Sequence, residues 1–314
     1  MVPPPRILLR QAIQENSTEK LSEAVRINKA KNSSDNGFLV SALTTCFRQG
    51  KADLVRHLLE QEHAPVGSIK PGDLTPREGE PSFSLPLLGL LIANGWDINS
   101  EDNPGAAGRK DKLIDLVCDR EDVVQWLVEH GARIDHAQEY HEMMPRVVAL
   151  LETCAVFGSV STFKYLQQKG AKLGTRTLHR SAGEAAAIGA DPALEDGGAG
   201  DANAEDGDGA ANPVKRRRDR AEMLRYLVDE VKLDINALDT DIALHAWHWG
   251  PPISYAAGKP QGEAVVRWLL QKGADPTIKN LQSHSDAEEV ARSLNCSKTA
   301  EVISRWKREH AGEQ

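Results

Sequence analysis

The chain is poor in aromatics, which make up 5% of its 314 residues. Its core must therefore be packed by Leu, Val and Ala. Its four cysteines, Cys46, Cys118, Cys154 and Cys296, are scattered and form no CxxC pair. That spacing excludes zinc ribbons and thioredoxin-type redox motifs, and it suits a reducing compartment. No apolar run reaches the ~20 residues of a membrane span; the longest is 85–93. The N-terminal MVPPPRILLRQ has no apolar core of signal-peptide length. The expectation is a soluble intracellular protein, cytoplasmic or nuclear or both, with no membrane partner.

Phosphate-binding and catalytic signatures are missing too. The chain has no GxxxxGK[ST] and no GxGxxG. His141-Glu142 lacks the second histidine of a zincin helix, and His136 and His141 are five apart, the wrong spacing for one helical face. Ser41 and Ser181 have no nucleophile context. Cys46 and Cys154 have no neighbouring His and acid to activate a thiolate. The residues therefore argue for no catalytic site, no metal and no cofactor. The formal charge of -8 is concentrated in 191–209, where Asp191, Glu195, Asp196, Asp201, Glu205, Asp206 and Asp208 occur without a base. The rest is nearly neutral, which argues against direct nucleic-acid binding, since that needs a basic face.

What the chain does have is a recurring phrase. In Ala264–Pro276, AVVRWLLQKGADP, the residues Val265, Val266, Leu269 and Leu270 share one helical face. Gly273 follows where a left-handed residue ends a helix, and Pro276 forbids continuation. Equivalent positions are Glu62, Gly95, Gly131, Gly170 and Val231, at intervals of 33, 36, 39, 61 and 42. The phrase around Val231 carries one extra residue. A shorter helix with small residues precedes each phrase, as in LTTCFRQG, LETCAVFG, LHRSA and PPISYAA. His57, Trp126, Tyr165, Tyr226 and Trp268 share one register position beside the apolar face, where an aromatic serves packing.

These residues resemble the ankyrin repeat, with its TPLHxAA first helix and VVxxLLxxGADxN second helix. GWDIN after Leu91 is similar to a variant common in ankyrin proteins of filamentous fungi. The Thr-Pro of the consensus is mostly absent, and inserts interrupt the array. The resemblance implies an all-α fold: an ankyrin-repeat solenoid of about seven helix-turn-helix repeats plus caps. The expected division is a degenerate N-terminal repeat or cap over 7–35, repeats over 36–280, and a C-terminal capping repeat over 281–311. Within the array, 67–80 reads as an insert, and 189–218 as a disordered acidic insert, being too polar to bury a core.

Two features lie outside this pattern. Lys215, Arg216, Arg217 and Arg218 form a basic run that reads as a nuclear import signal, as a solvated helix start, or as a partner for the acidic stretch before it. His245, Trp247, His248 and Trp249 form HAWHWG; Trp247 and Trp249 are candidate partner contacts or rings packed on the array. The resemblance implies a non-catalytic, monomeric scaffold that binds one or more proteins through its connections and the face of its first helices. The connections concerned are 100–105, 135–139 and 237–241. The alternative function is a nuclear transcriptional coregulator acting through a bound partner protein.

Overall fold

The computed structural model describes residues 3–31, 36–77, 80, 83–102, 111–135, 148–195, 212–239, 250–281 and 283–311. These residues are helical, apart from turns and one isolated antiparallel bridge between Glu101 and Lys112. The helices follow one another in twos: α1 (Pro5–Glu15) and α2 (Thr18–Lys31), α3 (Gly37–Arg48) and α4 (Ala52–Glu60), α5 (Pro71–Leu74) and α6 (Leu85–Ala93), α7 (Leu113–Leu116) and α8 (Glu121–Glu129). Then come α9 (Leu150–Phe157) and α10 (Val160–Gln168), α11 (Thr177–Ala187) and α12 (Pro213–Arg225), α13 (Pro252–Ala257) and α14 (Glu263–Gln271), and α15 (Ala287–Ser293) and α16 (Ser297–Glu309). Among the described residues no helix is long and apolar enough to cross a membrane.

The chain divides into two compact units, Met1–Val117 with Asp122–Arg133, and Cys118–Glu121 with Ile134–Gln314. In the first, α3, α5 and α7 pack successively, as do α2, α4 and α6. In the second, the first helices α9, α11, α13 and α15 form one row, and α10 packs on α12 and α14 on α16. Small residues permit the close spacing of the first helices. Ala182, Ala185 and Ala186 of α11 are buried, and Gly183 lies against Tyr255 of α13. The second helices supply the larger aliphatics: Leu54, Val55 and Leu58, then Val123, Val124 and Leu127, then Val265, Val266 and Leu269, all buried.

Every second helix but α2 and α16 ends in one device. Gly95, Gly131, Gly170 and Gly273 have φ of 94°, 94°, 98° and 93°. The next residue's N–H returns to a leucine carbonyl five back: Trp96 to Leu91, Ala132 to Leu127, Ala171 to Leu166 and Ala274 to Leu269. This satisfies a carbonyl that the helix end would orphan. Two ends differ from the sequence alignment. The left-handed residues are His63 (φ 53°) and Lys232 (φ 58°), each one position after the Glu62 and Val231 expected. Both turns carry one extra residue. Tyr226–Glu230 takes it up as a π-turn, and the Ala64 and Leu233 N–H groups still reach Leu58 and Leu227, now six back.

A second device links consecutive turns. The Asn99 amide donates to the Gly131 carbonyl (3.1 Å) and accepts from the Arg133 N–H (2.7 Å). Asn236 does the same to the Gly273 carbonyl (3.2 Å) and the Asp275 N–H (2.8 Å). Asp97, Asp234 and Asp275 each accept the N–H two residues on, at 2.8–2.9 Å, shaping the same turn three times.

Two expected inserts prove partly ordered. Pro71–Leu74, inside 67–80, is a helical turn that occupies the place of a first helix. Asp73 accepts the Lys70 N–H (3.1 Å) just as Asp115 accepts the Lys112 N–H (3.0 Å) at the start of α7. The Pro-Gly pair reads as a breaker, yet proline is favoured in a first helical turn. Over 189–218, the expected disorder does not extend to the flanks. The Ala190 N–H bonds the Ala185 carbonyl, and Arg225 donates to the Pro192 (3.2 Å) and Leu194 (2.6 Å) carbonyls. Helix α12 begins at Pro213 because the Asn212 side chain accepts from Val214 and Lys215. Residues 196–211 lie outside the described residues.

The Gly273 turn yields a prediction. Gly273→Ala has room for its methyl group but must hold φ near 93°, so it destabilises by about 1–2 kcal/mol. Gly273→Asn, whose side chain tolerates this region better, loses less. Urea midpoints of the two variants check the order.

Candidate protein-binding surface

Five of the first helices carry a buried polar side chain: Thr44 in α3, Asp115 in α7, Glu152 in α9, His179 in α11 and Ser254 in α13. Three of them hold backbone of the connections. Asp115 takes the Lys112 N–H, Glu152 takes the Arg176 N–H (2.9 Å), and His179 Nε2 meets the Ala237 carbonyl (2.9 Å). Around the last two lies a charged cluster. Arg176 is 3.5 Å from Asp239, Arg180 is 3.8 Å from Glu152, and the Tyr255 hydroxyl donates to Asp239. Burial raises the Glu152 carboxyl and lowers the His179 imidazole to about 4. The Tyr255 hydroxyl is pushed up by burial and by its bond to Asp239. A neutral, buried His179 suits a positioning role.

The first helices α9, α11 and α13 of the second unit are largely covered. In α9 all residues but Phe157 are buried; in α11, Arg180 and Glu184 are half-buried and only Ala187 is exposed; in α13, Tyr255 alone is half-buried. In the first unit, α3 has an open face. A groove of about 500 Å³ runs along Asn36, Val40, Ser41, Thr44, Thr45 and Arg48. Steps of three and four residues put this set on one side of the helix. Ser68, Asp73 and Arg77 form the opposite wall. The Thr44 and Thr45 hydroxyls donate to the Ser41 carbonyl at 3.2 and 2.7 Å, so their lone pairs remain as acceptors. Buried Arg48 closes one end, donating to the Asp73 carbonyl (2.8 Å) and lying 3.1 Å from Glu80. Burial pushes the Glu80 carboxyl up, but the Arg77 N–H and the Arg48 guanidinium outweigh it and hold the group below its usual range.

The basic run sits in the first turns of α12. Lys215 pairs with Asp219 (3.0 Å) and Arg216 with Glu184 (2.5 Å). Arg217 Nε donates to the Pro213 carbonyl (3.4 Å), and Arg218 is exposed. A helix turns these side chains to different sides, unlike an extended basic peptide. The buried cation in this helix is one the sequence did not single out. Arg220 is 3% exposed and donates to the Ala155 (3.2 Å) and Gly158 carbonyls, capping the end of α9. No spacing rule flags it, because its partners lie 62 and 65 residues away.

Trp247 and Trp249, with His245 and His248, lie outside the described residues, as do parts of the connections 100–105, 135–139 and 237–241. The aromatic register resolves into packing. Tyr226 and Trp268 are buried, Tyr226 meets Phe163 edge-on at 5.8 Å, and Trp126 stacks on His130 at 3.7 Å. Cys46, Cys118, Cys154 and Cys296 are buried free thiols, and burial pushes Cys46 to about 12, away from thiolate character. Among the described residues, no group of three or more His, Cys, Asp and Glu could hold a metal ion.

Two predictions follow from the buried groups. Arg220→Met strands two carbonyls and destabilises by about 1–3 kcal/mol, whereas Arg218→Ala stays within about 0.5 kcal/mol of wild type; chemical denaturation separates them. For His179 the unfolded chain, with its ordinary value near 6.5, takes up a proton before the folded one does. Stability therefore falls as pH drops from about 6.5 towards 4, by on the order of 3 kcal/mol. Glu152, shifted upwards, works in the opposite sense and reduces the loss. His179→Gln flattens the profile between pH 7 and 4.5; an unchanged slope places the acid sensitivity elsewhere.

No protein-family model matches this chain, and no curated protein matches it. Among solved structures, one chain in the complex of the Bd0816 predatory endopeptidase from Bdellovibrio bacteriovorus with immunity protein Bd3460 is similar at 16% identity. The match covers 84% of this chain and 96% of that one, with a TM-score of 0.39, a likeness that carries no argument about fold or activity.

Proposed function

We propose that this protein is an ankyrin-type repeat scaffold that binds another protein without catalysing a reaction. The observation that carries the reading is the repeated turn with its asparagine link: Asn99 to the Gly131 turn and Asn236 to the Gly273 turn, the same two bonds in both units. A chain that repeats one module needs each copy to cover its neighbour's apolar face. In this reading α1 and α2 cap the first end, α15 and α16 cap the other, and the helices between are the repeats. The array is a monomer with no cofactor. The partner sits on the open side of α3, where polar, solvent-accessible groups line a groove. The helical, partly ion-paired basic run gives the coregulator reading no support.

Proximity labelling in the native cells tests this. Thr45→Trp fills the groove from a half-buried position on its wall; the melting temperature stays within about 3 °C of wild type while the neighbours labelled fall several-fold. Neighbours that survive the substitution place the contact elsewhere. Lys215–Arg218 changed to alanine leaves the distribution between nucleus and cytoplasm as it was; loss of a nuclear signal restores the import reading. Turnover in a broad screen of hydrolase and transferase substrates overturns the non-catalytic reading.

A further inference from the structure

Independently of the scaffold reading, we propose that Asn36 is a site of spontaneous covalent modification, where Asn36-Gly37 closes to a succinimide and reopens as aspartate or isoaspartate. The pair Asn-Gly occurs twice in the chain, here and at Asn94-Gly95. Both asparagines are exposed. In both pairs glycine leaves no Cβ beside the attacking nitrogen and gives the backbone its widest range of conformations. The reaction needs only water. The Gly37 backbone nitrogen gives up its proton to solvent base and attacks Asn36 Cγ. The Cγ–Nδ2 bond breaks, and Nδ2 leaves as ammonia with a proton taken from water. Water then opens the ring. Attack at Cγ leaves aspartate; attack at the main-chain carbonyl carbon leaves isoaspartate, whose backbone runs through Cβ and Cγ. One water enters, one ammonia leaves, and nothing is oxidised or reduced.

The two pairs differ in what holds them. With ψ of -8° at Asn36 and 14° at Asn94, the next nitrogen is turned away from Cβ, so each peptide unit must rotate before the ring can close. At Asn94 that rotation is opposed by the bonds that end α6. The carboxamide donates to the Leu90 carbonyl (2.9 Å), the Gly95 N–H to the Ile92 carbonyl (2.9 Å), and the Trp96 N–H to the Leu91 carbonyl (3.0 Å). Asn36 stands at the start of a helix instead. Its carboxamide makes no cap bond to α3, and its carbonyl takes the Val40 N–H at 3.1 Å, a bond of the first helical turn. Helix ends open at less cost than packed turns. The products act on the same turn. Aspartate is a good cap and puts its charge at the positive end of α3. Isoaspartate lengthens the main chain by one carbon and displaces the carbonyl that Val40 uses. Either product sets a carboxylate where a neutral amide lined the α3 groove.

The test incubates the full native chain in warm, mildly alkaline buffer and follows each asparagine by fragment-ion mass spectrometry. The readout is the fraction that has exchanged NH2 for OH, a mass gain that isomerisation of aspartate does not produce. Asn36 converts about ten-fold faster than Asn94, the difference that the extra bonds at the end of α6 impose. In concentrated urea the two rates converge, because the unfolded pairs are alike. Gly37→Ala slows conversion of Asn36 several-fold and leaves Asn94 as it was. Equal rates in the native chain, a faster Asn94, or an unconverted Asn36 under conditions that convert the unfolded chain overturn the proposal.

Discussion

Each left-handed turn leaves a helix-terminal carbonyl that must find a donor. In two places the donor is an asparagine amide from the preceding module, which also takes the N–H two residues beyond the turn. One side chain thereby sets the distance between modules. The apolar faces of the second helices need that constraint, because aliphatic contact is non-directional and fixes no register by itself. Asn99 and Asn236 supply direction at half-buried positions, and the small residues of the first helices supply close approach.

Deeper in each module, polar groups do a related job. Asp115, Glu152 and His179 tie irregular connections to the helix row beneath them. Arg220 closes the end of α9 from a helix that follows the acidic stretch. A buried cation or carboxylate stabilises only when its bonds are made, so these contacts also reject alternative registers. The π-turn at Tyr226–Glu230 serves the same register. It absorbs one residue and brings Glu230 to Lys164 and Asp229 to Lys272, on the helices before and after.

The open groove follows from the same packing. In the covered helices α9 and α11, Glu152 and His179 are consumed in holding connections. Along α3, Ser41 and Thr45 remain accessible beside Arg77. Burial decides which of two similar hydroxyl-bearing helices, LTTCFRQG or LETCAVFG, has surface left for a ligand.

The second helices were legible from sequence because their period and their stop signals are local. Val265, Val266, Leu269 and Leu270 mark a face, and Gly273 can enter a left-handed turn without a Cβ penalty. The small-residue first helices and the polar nature of 196–211 were equally plain. The positions of the left-handed residues at His63 and Lys232 were not, because an inserted residue can be absorbed before or after a turn and only the packed neighbours choose. Pro71–Leu74 was hidden by a Pro-Gly pair whose effect depends on the helix it leans against. Arg220 and Arg218 are alike as letters, two residues apart in one basic helix. Tertiary structure alone made the first a buried cap and left the second in water, because the carbonyls that separate them arrive from more than sixty residues away.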